Sequence, residues 1–265
     1  MSDGAGPDED WRVPREQAIP RLVDRYGGRL YGLARRLCGS PTEAEDLVQE
    51  VFLAAFQAWD GFRGDGDPKG WLFAIAAHAC QRMHRRRSGQ PAQVESLDVQ
   101  APLANAEVGV AGDGLAAALR AEARERVAAA VAALPESYRL PLVLKDFVEL
   151  PLAAVGEILG IPEATAKTRV HRARLRVREA LEEVLPRRLL PPPAYDEQMC
   201  LDLLRTKQES LDRGVPMPGA DRLICERCRA VFGQLDLAAE LCGALGDEEL
   251  PAPVRALLRE RLTAG

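Results

Sequence analysis

Aromatic residues make up only 5% of this chain of 265 residues, and no run of about 18 apolar residues interrupts it, although 47% of its residues are apolar. The second absence excludes a membrane-spanning helix, and no membrane partner is expected. The first, combined with an abundance of Ala, Leu and Arg, favours helix over sheet, so the expected fold is all-α. No H-E-x-x-H, G-x-S-x-G or phosphate-binding Gly-Lys motif occurs, and no enzymatic chemistry is expected. The opening M-S-D-G-A-G-P-D-E-D is polar and acidic where a signal peptide would be basic and then apolar, which predicts a cytoplasmic protein. Six cysteines in that compartment are thiols or metal ligands before they are structural disulfides.

The net charge of -5 rules out a uniformly basic coat, but the cations are clustered. His84 to Arg87 reads H-R-R-R, and Lys167 to Arg178 carries a basic residue at nearly every second position without an acid. At this length two or three small domains are expected. After a disordered start (1–14), helical periodicity runs from Ile19 to Leu37. Ser40-Pro41-Thr42-Glu43 then supplies an N-cap, a first-turn Pro and an acid three residues after the cap, starting a second helix toward Trp59. A Gly-rich loop precedes a third helix from about Pro68 into the basic cluster, closing a domain over 15–87. Residues 88–114 lack a period and read as a linker. A second domain spans 115–186, where Pro141 should kink a helix or delay its start. Pro191 to Pro193 separate it from a helical, cysteine-containing third domain over 195–265.

Within the second domain, Leu152, Val155, Ile158 and Leu159 form one helix face, Gly160-Ile161-Pro162 makes a turn, and a helix begins at Glu163. This is a helix-turn-helix pattern. Ala166, Val170 and Ala173 should face the partner helix, leaving Lys167, Thr168, Arg169, His171, Arg172 and Arg174 for a major groove and its phosphates.

The runs L-P-E-S-Y-R-L-P-L-V-L-K-D-F (134–147) and L-G-I-P-E-A-T-A-K-T-R-V-H-R-A-R (159–174) resemble the carboxy-terminal DNA-binding domain, region 4, of extracytoplasmic-function sigma factors. A-E-D-L-V-Q-E-V-F-L-A-A-F (44–56), F-R-G-D (62–65) and G-W-L-F-A-I-A (70–76) resemble the amino-terminal domain, region 2, of the same family. The resemblance implies a factor that binds core RNA polymerase and promoter DNA. It implies that Asp46, Gln49 and Glu50 dock on polymerase. It also implies that Phe62, Arg63, Asp65 and Lys69 hold a flipped minus-ten base, and that Arg82 and Arg85 to Arg87, including Arg86, hold phosphates. His78 is either a base contact or a core or capping histidine. The second helix of the turn motif would read the minus-thirty-five element.

The sequence departs from the family where Ala164 and Ala166 replace Gly and Val, and where Pro151, Ala153 and Ala154 replace Ser and acids. Promoter preference therefore does not carry over.

In the tail, Cys225-x2-Cys228 with Cys200 upstream provides three soft ligands for zinc, and L-D-R-G (211–214) with D-R-L-I-C-E-R-C-R-A (221–230) resembles the zinc-binding anti-sigma domain. The fourth ligand is Asp221, Cys242 or none. A reversible Cys225–Cys228 disulfide is the alternative, and Cys38 and Cys80 read as buried and inert. The tail is then expected to contact the sigma domains within the chain and to regulate them by metal or thiol state. The competing reading is a metal- or redox-sensing DNA-binding regulator that never docks on polymerase.

Overall fold

The computed structural model describes residues 11–38, 40–62, 67–88, 107–110, 117–220, 224–246 and 248–263. In chain order the elements are α1 (Arg15–Leu37), α2 (Pro41–Ala58), α3 (Lys69–Ser88), β1 (Glu107–Gly109), α4 (Ala117–Ala133), α5 (Glu136–Leu142), α6 (Leu152–Leu159), α7 (Glu163–Leu181), β2 (Arg187–Leu189), α8 (Glu197–Arg213), α9 (Glu226–Ala244) and α10 (Ala252–Thr263). Helices dominate, as the composition predicts. The chain divides into two compact units, Met1–Pro91 with Asp247–Gly265, and Ala92–Gly246. The tail expected to form one domain is thus parted, with α8 and α9 in the second unit and α10 in the first.

In the first unit, Ser40 Oγ accepts a hydrogen bond from the Glu43 N–H at 3.3 Å, with Pro41 opening α2 as its fixed φ favours. Leu47, Val48, Val51, Phe52 and Ala55 then fall on one buried face. That face packs with Leu22, Leu30 and Leu33 of α1 and Leu72 and Phe73 of α3, all essentially solvent-free. Burying a side chain such as Phe52 contributes roughly 1.5–3 kcal/mol.

Trp11, placed by the sequence reading in a disordered start, is 5% exposed and meets Trp59 edge-on at 6.4 Å. The Trp59 indole donates to the Val13 carbonyl at 2.9 Å, so large aromatic surface ties this segment down. Residues 1–10 of the expected disordered start lie outside the described residues.

Gly28, in the middle of α1, has a different reason from helix propensity. A Cβ there would stand 2.2 Å from the Glu248 carbonyl oxygen, so only glycine admits the returning chain. Arg36 pairs with Glu248 at 2.9 Å and Arg259 with Asp24 at 3.1 Å. Val254, Leu258 and Leu262 of α10 are buried.

The second unit begins with a feature the sequence hid. Within the expected linker, β1 pairs antiparallel with β2 in the register Val108↔Arg188, and Val108 is 1% exposed. Three residues are too few to show an alternation. Pro141 neither ends nor delays α5; it lies buried inside it, and a π turn over Val143–Phe147 follows, absorbing the change in backbone pairing. One core gathers Val127, Val131, Leu144, Val155, Ala166, Val170, Ala173, Val177 and Leu181. A second gathers Val108, Cys200, Leu203, Leu204, Met217, Cys228, Val231 and Leu235 around α8 and α9, with Leu175 of α7 packed against it.

Candidate nucleic-acid interface

Helix α6 stops at Gly160, whose φ of 65° and ψ of 35° lie in the left-handed region. The Ile161 N–H returns to the Gly156 carbonyl at 3.0 Å, and Pro162 caps α7. The helix-turn-helix expected from Gly160-Ile161-Pro162 is therefore in place. Ala166, Val170 and Ala173 are fully buried, as their spacing predicts.

The polar side of α7 departs from expectation. Thr168 and Arg172 are exposed and Arg169 is half-buried. Thr168 donates its hydroxyl back to the Ala164 carbonyl at 2.9 Å. The next stripe, spaced by three or four residues through Lys167, His171, Arg174 and Arg178, is engaged along its length. Lys167 Nζ lies 2.7 Å from Glu209 Oε1, and His171 Nε2 lies 2.7 Å from Asp212 Oδ2. Arg174 donates to both oxygens of Asp146, at 2.8 and 2.6 Å, and through Nη1 to Asp212 at 2.7 Å and the Gln208 carbonyl at 3.3 Å.

Arg178 Nη1 donates to Glu182 at 2.7 Å and to the Gln234 side-chain oxygen at 2.6 Å. Gln234, with no exposed surface, passes the network on by donating to the Gly109 carbonyl at 2.6 Å. The Gly109 N–H in turn donates to Glu182 at 2.9 Å. This polar chain joins β1, α7 and α9, and buried polarity of this kind is tolerated where it is hydrogen-bonded; among the described residues, Arg178 Nε is the buried atom of this network left without a partner.

Arg174 is thus corrected as a free DNA contact: it is 3% exposed and already bidentate with a carboxylate. Burial works against its charge, but Asp146 and then Asp212 raise its pKa above the ordinary value. Burial likewise pulls the Asp212 carboxyl up, yet the His171 hydrogen bond and the Arg174 charge outweigh it and hold the carboxyl below its usual range. The Lys167 hydrogen bond does the same for Glu209. Sequence reasoning missed Asp146, Glu209, Asp212 and Gln234. The only signal was Glu209 and Asp212 three residues apart on α8, an acidic pair whose partner lay on another helix.

In the first unit, Asp46 and Glu50 are exposed on α2, Gln49 is half-buried, and Glu50 pairs with Arg82 at 2.9 Å. Arg82, expected on phosphate, is thus held by an acid of the docking face. Phe62 stacks on Trp59 at 5.0 Å and lies 5.4 Å from Trp71, which fixes one end of the loop expected to meet a base. At its other end the Lys69 N–H donates to Asp67 at 2.9 Å, and the Tyr26 hydroxyl donates to the same carboxylate. His78 is exposed, which removes the core alternative. Arg63, Asp65, Asp221 and the side chains of Arg85 and Arg86 lie outside the described residues.

Cys225 caps α9 and Cys228 sits in its first turn, buried with Cys200 of α8. Burial pushes the Cys228 thiol up to about 12, aided by Cys225, and also raises Cys200. At Cys225 burial is outweighed by hydrogen bonds from the backbone of Ala194, Cys228 and Arg227, and its pKa falls below the ordinary value. Arg227 is anchored on the Leu190 and Pro191 carbonyls at 3.1 and 3.0 Å.

Cys242 is corrected as a ligand with Cys228, since fourteen residues along α9 separate them by about 21 Å. Among the described residues no group of three or more His, Cys, Asp or Glu side chains is placed to hold a metal ion. Cys38, expected to be buried, is half-buried at the end of α1, whereas Cys80 is buried. Among the described residues no helix is long and apolar enough to cross a membrane.

Comparison with known proteins matches residues 22–90 to the family Sigma-70 region 2 and residues 124–177 to Sigma-70, region 4. The ECF RNA polymerase sigma factor SigW of Bacillus subtilis (strain 168) is 31% identical over 173 residues, covering 64% of this chain and 91% of that protein. The ECF RNA polymerase sigma-E factor of Escherichia coli (strain K12) is 29% identical over 178 residues, covering 65% and 91%. A solved structure of CnrH in complex with the cytosolic domain of CnrY is 26% identical and covers 63% of this chain and 90% of that one, with a TM-score of 0.45. The family matches end at residue 177, before β2, α8, α9 and α10.

Proposed function

Because the chain belongs to the extracytoplasmic-function RNA polymerase sigma factors, we propose that it brings core RNA polymerase to promoters and performs no covalent chemistry itself. Asp46, Gln49 and Glu50 on α2 dock on polymerase, α3 and the loop before it engage the minus-ten element, and α7 reads the minus-thirty-five element. The observation that carries this reading is the exposed acidic face of α2 in the same chain as a helix-turn-helix with Thr168 and Arg172 open to solvent. A DNA-binding regulator working alone has no use for the first.

Co-purification with core RNA polymerase tests it. The full chain is expected to co-elute, and the Asp46→Lys, Glu50→Lys variant to lose at least ~10-fold in affinity, since like charges placed at a docking face repel. A chain that binds duplex DNA yet never co-elutes with polymerase would instead be the stand-alone regulator.

The extension adds control through thiol state. Cys225 is the reactive thiol of the pair, being the one whose pKa is lowered, and Cys228 is the resolving thiol. With a peroxide as oxidant, the Cys225 thiolate takes one peroxide oxygen as a sulfenic acid. The Cys228 thiol then displaces water to close the disulfide. Zinc is the lesser reading: the thiols of Cys200, Cys225 and Cys228 are soft donors of the kind it takes, but they are not placed to hold an ion, so binding would require them to rearrange with Asp221. Metal content and thiol titration of the purified chain, before and after peroxide, separate the two. Stoichiometric zinc released by peroxide supports the metal form; two thiols lost without metal supports the disulfide; neither change removes both.

A further inference from the structure

We propose that the α8 carboxylates Glu209 and Asp212 stand in for DNA phosphates on α7, so that the chain's own extension and promoter DNA compete for one basic stripe. This rests on the reading of α7 as the DNA helix and names what regulates it.

Three observations carry it. The first is chemical. Lys167 and His171 are each within 2.7 Å of a carboxylate oxygen of α8, and Arg174 is shared between Asp212 and Asp146. Carboxylate and phosphate oxygens are equivalent acceptors for such donors, and a donor satisfied by one is unavailable to the other.

The second is steric. A recognition helix reads bases with its N-terminal half in a groove about 12 Å wide, flanked by phosphate backbones. Alongside that half, α8 comes so close that its Glu209 and Asp212 carboxylates meet Lys167 and His171 at 2.7 Å. A helix about 10–12 Å across at that position stands where one groove wall must lie.

The third is energetic. Buried ion pairs recover little beyond the cost of desolvating their members. When α8 leaves, Lys167, His171 and the outer donors of Arg174 return to water or to phosphate, while Arg174 keeps its two bonds to Asp146. Detachment therefore strands no charge on α7. The polar contacts between α7 and α8 are made by groups that DNA can replace one for one, while Leu175 packs on the apolar core around α8 and α9, and they leave Thr168 and Arg172 exposed beside them as a first foothold.

The test is binding of a fluorescein-labelled mixed-sequence duplex to the full chain, followed by anisotropy at low and moderate salt. The double variant Glu209→Gln, Asp212→Asn is expected to bind ~10-fold more tightly than the parent, and Glu209→Gln alone, at a half-exposed pair, several-fold. Glu122→Gln, Glu125→Gln removes the same charge from exposed positions of α4 and controls for net charge.

The proposal is overturned if the double variant gains no more than this control while Arg172→Ala still weakens binding. If Arg172→Ala leaves binding unchanged in every background, the reading of α7 as the DNA helix fails, and the proposal with it. Hydrogen exchange on the unmutated chain is independent of folding defects. Saturating duplex should raise exchange across α8 while protecting α7, and unchanged α8 protection would also overturn the proposal.

Discussion

The proposed polymerase-docking face on α2 and the proposed DNA face on α7 are treated in opposite ways within their own units. On α2 the acids Asp46 and Glu50 face solvent, and the pair Glu50–Arg82 joins side chains 55% and 48% exposed. On α7 the cations are taken up by Glu209, Asp212, Asp146 and Gln234, and Arg174 is 3% exposed. An exposed pair is worth about 0–1 kcal/mol and screens away in salt, so it leaves the α2 face available. A buried pair is nearly neutral while intact but costly to break from one side. Under the proposed function the difference means that the docking face needs no unmasking, whereas the DNA face has to be uncovered before it can act.

The comparison breaks most sharply at Arg174. Arg174→Ala leaves Asp146 and Asp212 facing each other's neighbourhood without their cation, and the second unit should lose about 3–5 kcal/mol in urea unfolding. Arg82→Ala on the open face should change the same measurement by under about 1 kcal/mol. Equal effects would mean that the two faces do not differ.

Gln234→Ala comes next. It removes the partner of both the Arg178 guanidinium and the Gly109 carbonyl, each within 2.6 Å, and should cost about 1–3 kcal/mol in the same assay. Because the lost donor also frees β1, hydrogen exchange at Val108 and Gly109 should rise.

Acid should sharpen the contrast further. Asp212 has a folded pKa below its unfolded value of roughly 3.9, so its stabilisation is present above that pH and is lost as pH falls through the lowered value. Thermal melts of the parent and Asp212→Asn should therefore differ most near neutrality and converge in acid below pH 4. A gap that persists unchanged to the lowest pH at which the chain folds would count against the assignment.

The smallest effect on stability, within about 0.5 kcal/mol, is expected for Glu50→Ala, which touches only a half-open pair. Its consequence belongs to polymerase affinity, read by co-elution.

Local signals made much of this legible in the sequence. Ser40, Pro41 and Glu43 announced the start of α2 because capping is decided within four residues. Gly160 and Pro162 announced the turn for the same reason, and the 166, 170, 173 spacing announced the buried face of α7.

What stayed hidden depends on distant partners. Lys167, His171 and Arg174 look free in sequence because Glu209 and Asp212 lie about forty residues away on another helix. Gly28 looked like a weakness in α1 until the chain returned past it at Glu248. The strand at Val108 could not be read from three residues that pair only with Arg187–Leu189. Cys242 shares a helix with Cys228, and only the length of that helix separates them.

The most direct test of the closed α7 face is run-off transcription by core RNA polymerase with the full chain, comparing the parent with Glu209→Gln, Asp212→Asn at equal polymerase binding. More transcript from the variant is the predicted result. Equal or less transcript from a variant that folds and binds polymerase as the parent does would contradict it.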